Sequence, residues 1–373
     1  MAAAAALHQD VLARILLLLS CVADRVRASA VNRHWRRVAL QNPSPLPWRL
    51  NPSTARTEIY RIFGGFAVPR PLLSDEGRGP RFCGSGPGGW FAVSSQDPWC
   101  GHALRNLRTG QRVALPDRVR IQLESGAITC PMVIRAAVMS AAPLSGACVV
   151  AAITSSQTNL AFWRPGMDRW LSAPVGTGPA RRSAEDITYH DGWFCAVDAD
   201  DNLVCYKPEV APAGDGDDAP SLTIRHHDYE IHGRRTAATG EIVSRYLLPS
   251  ASGGDLLMVK RYIARGGSGT RRFKVFRLQE GLPASWRAYK MTRQVLFVGR
   301  ASSKAFDTGH DGNPGYIYFL DDVYPGGPLR VVQQEEYPCA DAGGWRYSAP
   351  HEIQRCLPWS PPSDTSPSIW YHQ

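Results

Sequence analysis

The chain has 373 residues, 44% of them hydrophobic and 20% charged, an ordinary globular composition with ample room for a core. Its net charge is +9, but the basic residues are scattered, with five lysines among 42 Lys and Arg and no basic run interleaved with aromatics, so composition supplies no nucleic-acid interface. Nine cysteines, an odd number with no Cys-x-x-Cys spacing, read as free, mostly buried thiols of a reducing compartment and exclude a disulfide-dense scaffold.

The first predicted elements lie in LHQDVLARILLLL (7–19). The unbroken apolar run, ILLLLSCVA (15–23), is nine residues long, too short for a bilayer that needs about 20. A secretory leader is the rival reading, since Cys21-Val22-Ala23 resembles a cleavage site. Asp10 and the single full positive charge, Arg14, speak against it. Leu7, Val11, Leu12, Ile15, Leu16 and Leu19 instead recur at helical spacing and make an amphipathic stripe. A second helix is predicted over 24–40, capped by Asp24, with Val26, Ala30, Val31, Trp35 and Val38 apolar and arginines on its other faces. Pro43, Pro45 and Pro47 end the helical region. A module of 1–43 buries too little area to stand alone and requires a partner or a neighbouring domain.

From 44 to 373 the pattern is all-β: short apolar or alternating runs set off by Gly, Pro, Asp and Asn. They fall into groups at 82–116, 131–174, 185–228, 245–291 and 294–336, each able to supply about four strands. The leftover ends, 48–66 and 337–373, are expected to pair and close a ring. The predicted fold is therefore a small all-α module followed by a large β-propeller of six blades, with seven open. A pair of β-sandwiches is the structural rival.

Chemistry-bearing motifs are sparse. GSGPGG (84–89) matches a dinucleotide fingerprint in letters only, because Pro87 interrupts it and a strand, WFAVSS, follows. It reads as a turn. GGSGT (266–270) reads as a glycine loop. His226, His227, Asp228 and His232 are the densest ligand-type cluster, but no second set stands at zinc spacing, and no metal or cofactor is expected. Asp321-Asp322 would point to opposite faces of a strand, one of them capping a turn. Trp90, Trp163, Trp170, Trp193 and Trp286 are expected to pack between blades, and 211–220 reads as an acidic, glycine-rich linker.

Leu7, Asp10, Leu12, Ile15-Leu16, Leu19, Asp24-Arg25-Val26, Val31 and Trp35-Arg36 together resemble an F-box. That family usually carries proline after the first leucine; here the position is His8. The runs GGWFAVSS…LRNLRTGQRVALP (88–116), LAFWRPGMDRWL (160–171), EDITYHDGWFCAVDADDNLVCYK (185–207), GGDLLMVKR…FKVFRL (253–278), VLFVGRASSKAF (295–306) and PGYIYFLDD (314–322) resemble, in order, plant F-box proteins with a C-terminal kelch-like propeller, long held to be a domain of unknown function.

The resemblance implies a substrate-recognition subunit of an SCF-type cullin–RING ubiquitin ligase, not itself an enzyme, cytoplasmic and/or nuclear. Leu7, Leu12, Ile15, Leu16, Leu19, Val26, Val31 and Trp35 would bind a Skp-type adaptor, and the propeller would bind a protein target. Some members are implicated in destroying glycogen-synthase-kinase-like kinases, a target that does not carry over by resemblance. No nucleic-acid or membrane partner is expected. The alternative is a propeller scaffold or ligand-binding protein whose helices have lost the adaptor. A propeller enzyme lacks any convergent catalytic set.

Overall fold

The computed structural model describes residues 7–18, 28–41, 47–52, 57–60, 67–70, 81–94, 101–156, 159–174, 183–210, 222–229, 231–232, 241–264, 269–281, 283–307, 315–322, 337, 339–357, 362–363 and 366–372. At 17–18, 40, 57–60, 67–70 and 232 it describes the backbone alone.

Two helices open the chain, α1 (Gln9–Leu18) and α2 (Arg33–Gln41). The His8 carbonyl accepts the Leu12 N–H at 3.0 Å, so the missing proline does not prevent α1 from starting. The helix predicted over 24–40 is not continuous. Ala28–Ala30 are helical, the chain breaks at Val31-Asn32, and the Asn32 side chain accepts the Trp35 N–H at 3.0 Å. Asn competes well for a backbone donor and so caps a new helix instead of extending the old one. Leu12, Leu16, Ala28 and Val38 form the module's core, with Trp35 packed against it. Leu19, Asp24 and Val26 lie outside the described residues.

The remaining regular structure is almost wholly β. β1 (Trp48–Asn51), β2 (Thr57–Tyr60) and β3 (Ala67–Arg70) come first. β4 (Arg81–Gly86), β5 (Trp90–Ser94), β6 (His102–Asn106) and β7 (Arg112–Leu115) form blade one, an antiparallel meander. Blade two holds β8 (Arg118–Leu123), β9 (Gly126–Pro131), β10 (Ile134–Met139), β11 (Val150–Thr154), β12 (Leu160–Trp163) and β13 (Trp170–Ser172). Its order is β10-β11-β12-β13-β8-β9; the β8–β9 hairpin, absent from the sequence grouping, is added at the outer edge through a parallel β13–β8 pairing. Blade three is β14 (Ala184–His190), β15 (Trp193–Asp198), β16 (Leu203–Val210) and β17 (Leu222–Tyr229). Blade four is β18 (Ile231–His232), β19 (Glu241–Pro249), β20 (Leu256–Ala264), β21 (Thr270–Gln279) and β22 (Ala284–Ala288). Blade five is β23 (Gln294–Val298), β24 (Lys304–Asp307), β25 (Tyr316–Phe319), β26 (Gly343–Arg346) and β27 (Ile353–Gln354).

This is a mostly-β chain in a β-propeller arrangement. Five blades are each built from one run of chain, where six blades in all, the sixth from the two leftover ends, were expected. The fifth reaches past the predicted 294–336 to take two strands from 343–354. No single run of chain supplies the remaining sheet, which is composite: β28 (Ile369–Tyr371) pairs antiparallel with β1, Arg49 opposite Trp370 and Leu50 opposite Ile369.

Adjacent sheets are joined by apolar layers and by buried polar clamps. Trp90 of blade one packs in one core with Trp163 and Trp170 of blade two, as expected of these tryptophans. Phe162 of blade two meets Phe194 of blade three, ring centres 5.8 Å apart. Between blades three and four, Asp201 takes Arg245 Nε at 2.6 Å and the Lys260 ammonium, while its carbonyl accepts Trp286 Nε1 at 2.9 Å. Blade five meets the composite sheet where Trp370 Nε1 donates to the Val298 carbonyl at 2.9 Å. The composite sheet reaches blade one through the Tyr371 hydroxyl, 3.0 Å from the Gly89 carbonyl.

The turn between β23 and β24 sits where these inner strands converge. Ala301 N–H donates to Asp186 of blade three at 2.8 Å, its carbonyl accepts Ser85 N–H of blade one at 3.2 Å, and the Ser302 carbonyl lies 2.8 Å from His372 Nε2. Blade one approaches so closely that a Cβ on Gly84 (φ 142°) would lie 2.3 Å from the Ala137 carbonyl oxygen and 2.8 Å from that of Ala301. Glycine is required there.

Asp186 also accepts the Leu247 N–H of blade four at 2.8 Å. Burial pushes its carboxyl up to about 7, against the pull of Arg300 and these donors. The folded state thus holds a proton that the unfolded chain releases from about pH 4 upward. The contribution of Asp186 is fully present below about pH 4 and is lost as pH rises to about 7. Urea unfolding at pH 5 and pH 8 is expected to show this loss in the wild type and a smaller one in Asp186→Asn; equal slopes would refute it.

Candidate functional site

A cleft of about 340 Å³ lies between blades three and four. Its residues come from separate turns and strands. His190 and Trp193 face each other across a two-residue hairpin, Asp191-Gly192, whose φ values of 47° and 80° are both positive. This is the type I′ geometry that Asp-Gly favours and that matches the strand twist. The turn sets Asp191 at the mouth and Trp193 on the wall. Gly253, at φ 77°, turns the chain between β19 and β20 and delivers Asp255 from blade four. Glu280 follows the end of β21. His227 and Tyr229 line the third side from β17, their rings edge to face at 4.6 Å.

Three carboxylates from two blades thus share one concavity with aromatic rings. Burial and the charge of Glu280 raise the Tyr229 hydroxyl above its ordinary value, so it remains a donor. At the same cleft Arg277 lies 3.6 Å from Asp255, both about half exposed. Lys207 Nζ lies 5.5 Å from the ring centre of Trp193.

The cleft floor corrects one expectation. Cys195 and Cys205 are joined in a disulfide, so the cysteines are not all free. They stand directly opposite on β15 and β16, a relation that depends on register and is invisible in spacing. Cys83 and Cys148 are buried thiols as expected, and burial pushes them up to about 12 and about 11.

Of the other singled-out residues, His227 lines the cleft and the rest fall elsewhere. GSGPGG is the end of β4 and the turn into β5. Of GGSGT, only Gly269 and Thr270 are described, at the start of β21. His226, His227 and Asp228 lie exposed along β17, the edge strand of blade three. The 211–220 linker is outside the described residues. Asp321 and Asp322 follow β25 and are both buried. Asp321 accepts the N–H groups of Ala340 and Asp341 at 2.9 and 3.0 Å, a turn-capping role. Asp322 accepts the Tyr246 hydroxyl at 2.6 Å and the Arg300 N–H at 2.7 Å.

In the helical module the expected adaptor residues separate into two sets. Leu12 and Leu16 are fully buried in the module's own core. Leu7 and Val31 are exposed, at 42% and 61%, as is Val11 of the same helical stripe, at 49%, and Ile15 and Trp35 are half-buried. No helix among the described residues is long and apolar enough to cross a membrane.

The KIB1-4 beta-propeller model matches residues 57–344, most of the chain, from β2 into β26 of the fifth blade. The chain belongs to the KIB1-4 beta-propeller family. No curated protein matches it. Among solved structures, the extracellular domain of a hybrid two-component system from B. thetaiotaomicron aligns over 67% of this chain at 9% identity and a TM-score of 0.32. The chain spans 32% of that protein's length, and a likeness this slight supports no conclusion.

Within this KIB1-4 propeller, sequence reasoning passed over the cleft's carboxylates. Asp191 and Asp255 each stand beside a turn glycine, and that was the only available signal. Glu280 likewise precedes Gly281. Their convergence depends on how blades three and four pack.

Proposed function

We propose that the chain is the substrate-receptor subunit of an SCF-type cullin–RING ubiquitin ligase, its helices binding a Skp-type adaptor and its propeller binding the target protein. The observation that carries this reading is the division within the helical module. After Leu12, Leu16, Ala28 and Val38 have filled its core, Leu7, Val11 and Val31 remain at the surface. An apolar face of that kind on a pair of short helices is suited to a helix-to-helix partner. A family propeller follows on the same chain. In this role the chain performs no chemistry; it supplies effective concentration and orientation to a transfer made by the RING-bound conjugating enzyme.

Co-purification with a Skp-type adaptor tests the reading. Stoichiometric capture by the wild type and its loss in Val11→Asp, Ile15→Asp are expected. These positions are preferable to Leu16, whose substitution would disrupt the module's core. A folded wild type that captures no adaptor would sink the proposal. The second reading, a propeller scaffold or ligand-binding protein without an adaptor, would then stand; His8 in place of the usual proline is its support.

A further inference from the structure

The cleft between blades three and four differs from the surface around it. The chain as a whole is basic, at +9, yet here Asp191, Asp255 and Glu280 meet in one concavity with the rings of Trp193 and Tyr229. Carboxylates beside aromatic faces hold cations by two additive means, ion pairing and attraction to the ring quadrupole. The chain's own cations already make both contacts. Arg277 pairs with Asp255, and Lys207 lies over Trp193. The Arg277–Asp255 pair is half exposed and weakly held, so a guanidinium from outside competes with it readily. The cleft is open, its aromatic wall is only half buried, and its carboxylates arrive from two separate blades.

We infer that this cleft is the propeller's recognition site for a basic segment of a target protein, an arginine side chain being taken between Asp255 and Glu280 with its guanidinium against Trp193 or Tyr229. This rests on the receptor reading for the role of the target, though the cleft's preference for a cation stands apart from adaptor binding. Two positions are expected to dominate, Asp255 and Glu280 from blade four, with Asp191 steering from the opposite lip.

The probe is a fluorescein-labelled peptide of alternating arginine and glycine, with a glutamate–glycine peptide as its control. Both are titrated against the full chain by fluorescence anisotropy. The arginine peptide is expected to bind, less tightly as salt rises, and the glutamate peptide not to bind. Asp255→Asn with Glu280→Gln should weaken binding about tenfold or more. Glu124→Gln, on the exposed β8–β9 turn, should leave it unchanged.

A charge-reversed protein, Asp255→Lys with Glu280→Lys, should instead take the glutamate peptide, a gain that a misfolded variant would not produce. An arginine peptide that fails to bind the wild type, or binds the neutralised double variant equally well, overturns the inference. Adaptor capture is measured on the same preparations. Adaptor bound with peptide binding unaffected by the cleft variants refutes the site and leaves the receptor reading intact. Peptide binding lost in the cleft variants, with no adaptor captured, refutes the receptor reading and leaves the site.

Discussion

Arg261→Met is expected to destabilise the propeller by about 3–5 kcal/mol, the usual cost of removing one partner from a buried charge network. Arg261 is fully buried and all its N–H groups are used. Nε donates to the Thr270 hydroxyl at 2.7 Å; Nη1 to the Leu320 carbonyl at 2.5 Å and the Tyr246 hydroxyl at 3.3 Å; Nη2 to the Asp341 carboxylate at 2.8 Å and carbonyl at 2.9 Å. Phe319 lies beneath the guanidinium at 4.8 Å. Burial works against the charge, but Tyr246, Asp322 and Asp341 more than offset it and hold the guanidinium's pKa above its ordinary value. Removing the cation would take from Asp322 and Asp341 their shared buried counter-charge between blades four and five, leaving Asp322 to the Tyr246 hydroxyl and the Arg300 N–H, and Asp341 to Thr270 and the half-exposed Arg355. Arg261→Lys keeps a charge without the planar fork and should fall between the two. Urea denaturation reads the effect; a loss under about 1 kcal/mol would mean that the network relaxes around the gap.

Trp370→Ala is the second large effect, about 3–5 kcal/mol for a truncated core aromatic. Trp370 is fully buried, stands edge-on to Phe297 of blade five at 5.1 Å and donates to the Val298 carbonyl at 2.9 Å. It also sits on β28, whose pairing with β1 unites the two ends of the propeller chain. Its loss would weaken the composite sheet and the adjoining face of blade five together. The expected signature is a lower urea midpoint with earlier proteolytic cleavage near residues 47–52. Leu144→Ala, at an exposed loop position, should stay within about 0.5 kcal/mol of wild type. If the two variants melted alike, closure would not depend on Trp370.

Both effects concern residues that looked unremarkable in the sequence. Arg261 is one of 37 arginines, and only the meeting of β20 with the 320 and 341 segments makes it a clamp. The same holds for Asp322, one half of an adjacent carboxylate pair until Tyr246 and the Arg300 backbone close on it. Leu12 and Leu16 carry the same stripe as Leu7 and Val11, yet they face inward because α2 packs on their side. A stripe shows which residues leave water; it does not show whether their own chain or another covers them.

Local chemistry wrote much of this protein into its sequence. Alternating runs became strands, Asp191-Gly192 became a hairpin turn, and the chain ends were legible as a pair that closes the composite sheet. The first two depend on neighbours within a few residues, where backbone preference and side-chain period act; the third followed from strand-like runs left over on either side of the grouped ones. The tertiary structure alone decided the place of the β8–β9 hairpin at the outer edge of blade two, the Cys195–Cys205 bond and the gathering of Asp191, Asp255 and Glu280 in one cleft. Each of these depends on the register of paired strands or on how one element packs against another. Those relations join residues far apart in the chain, and no short-range pattern encodes them.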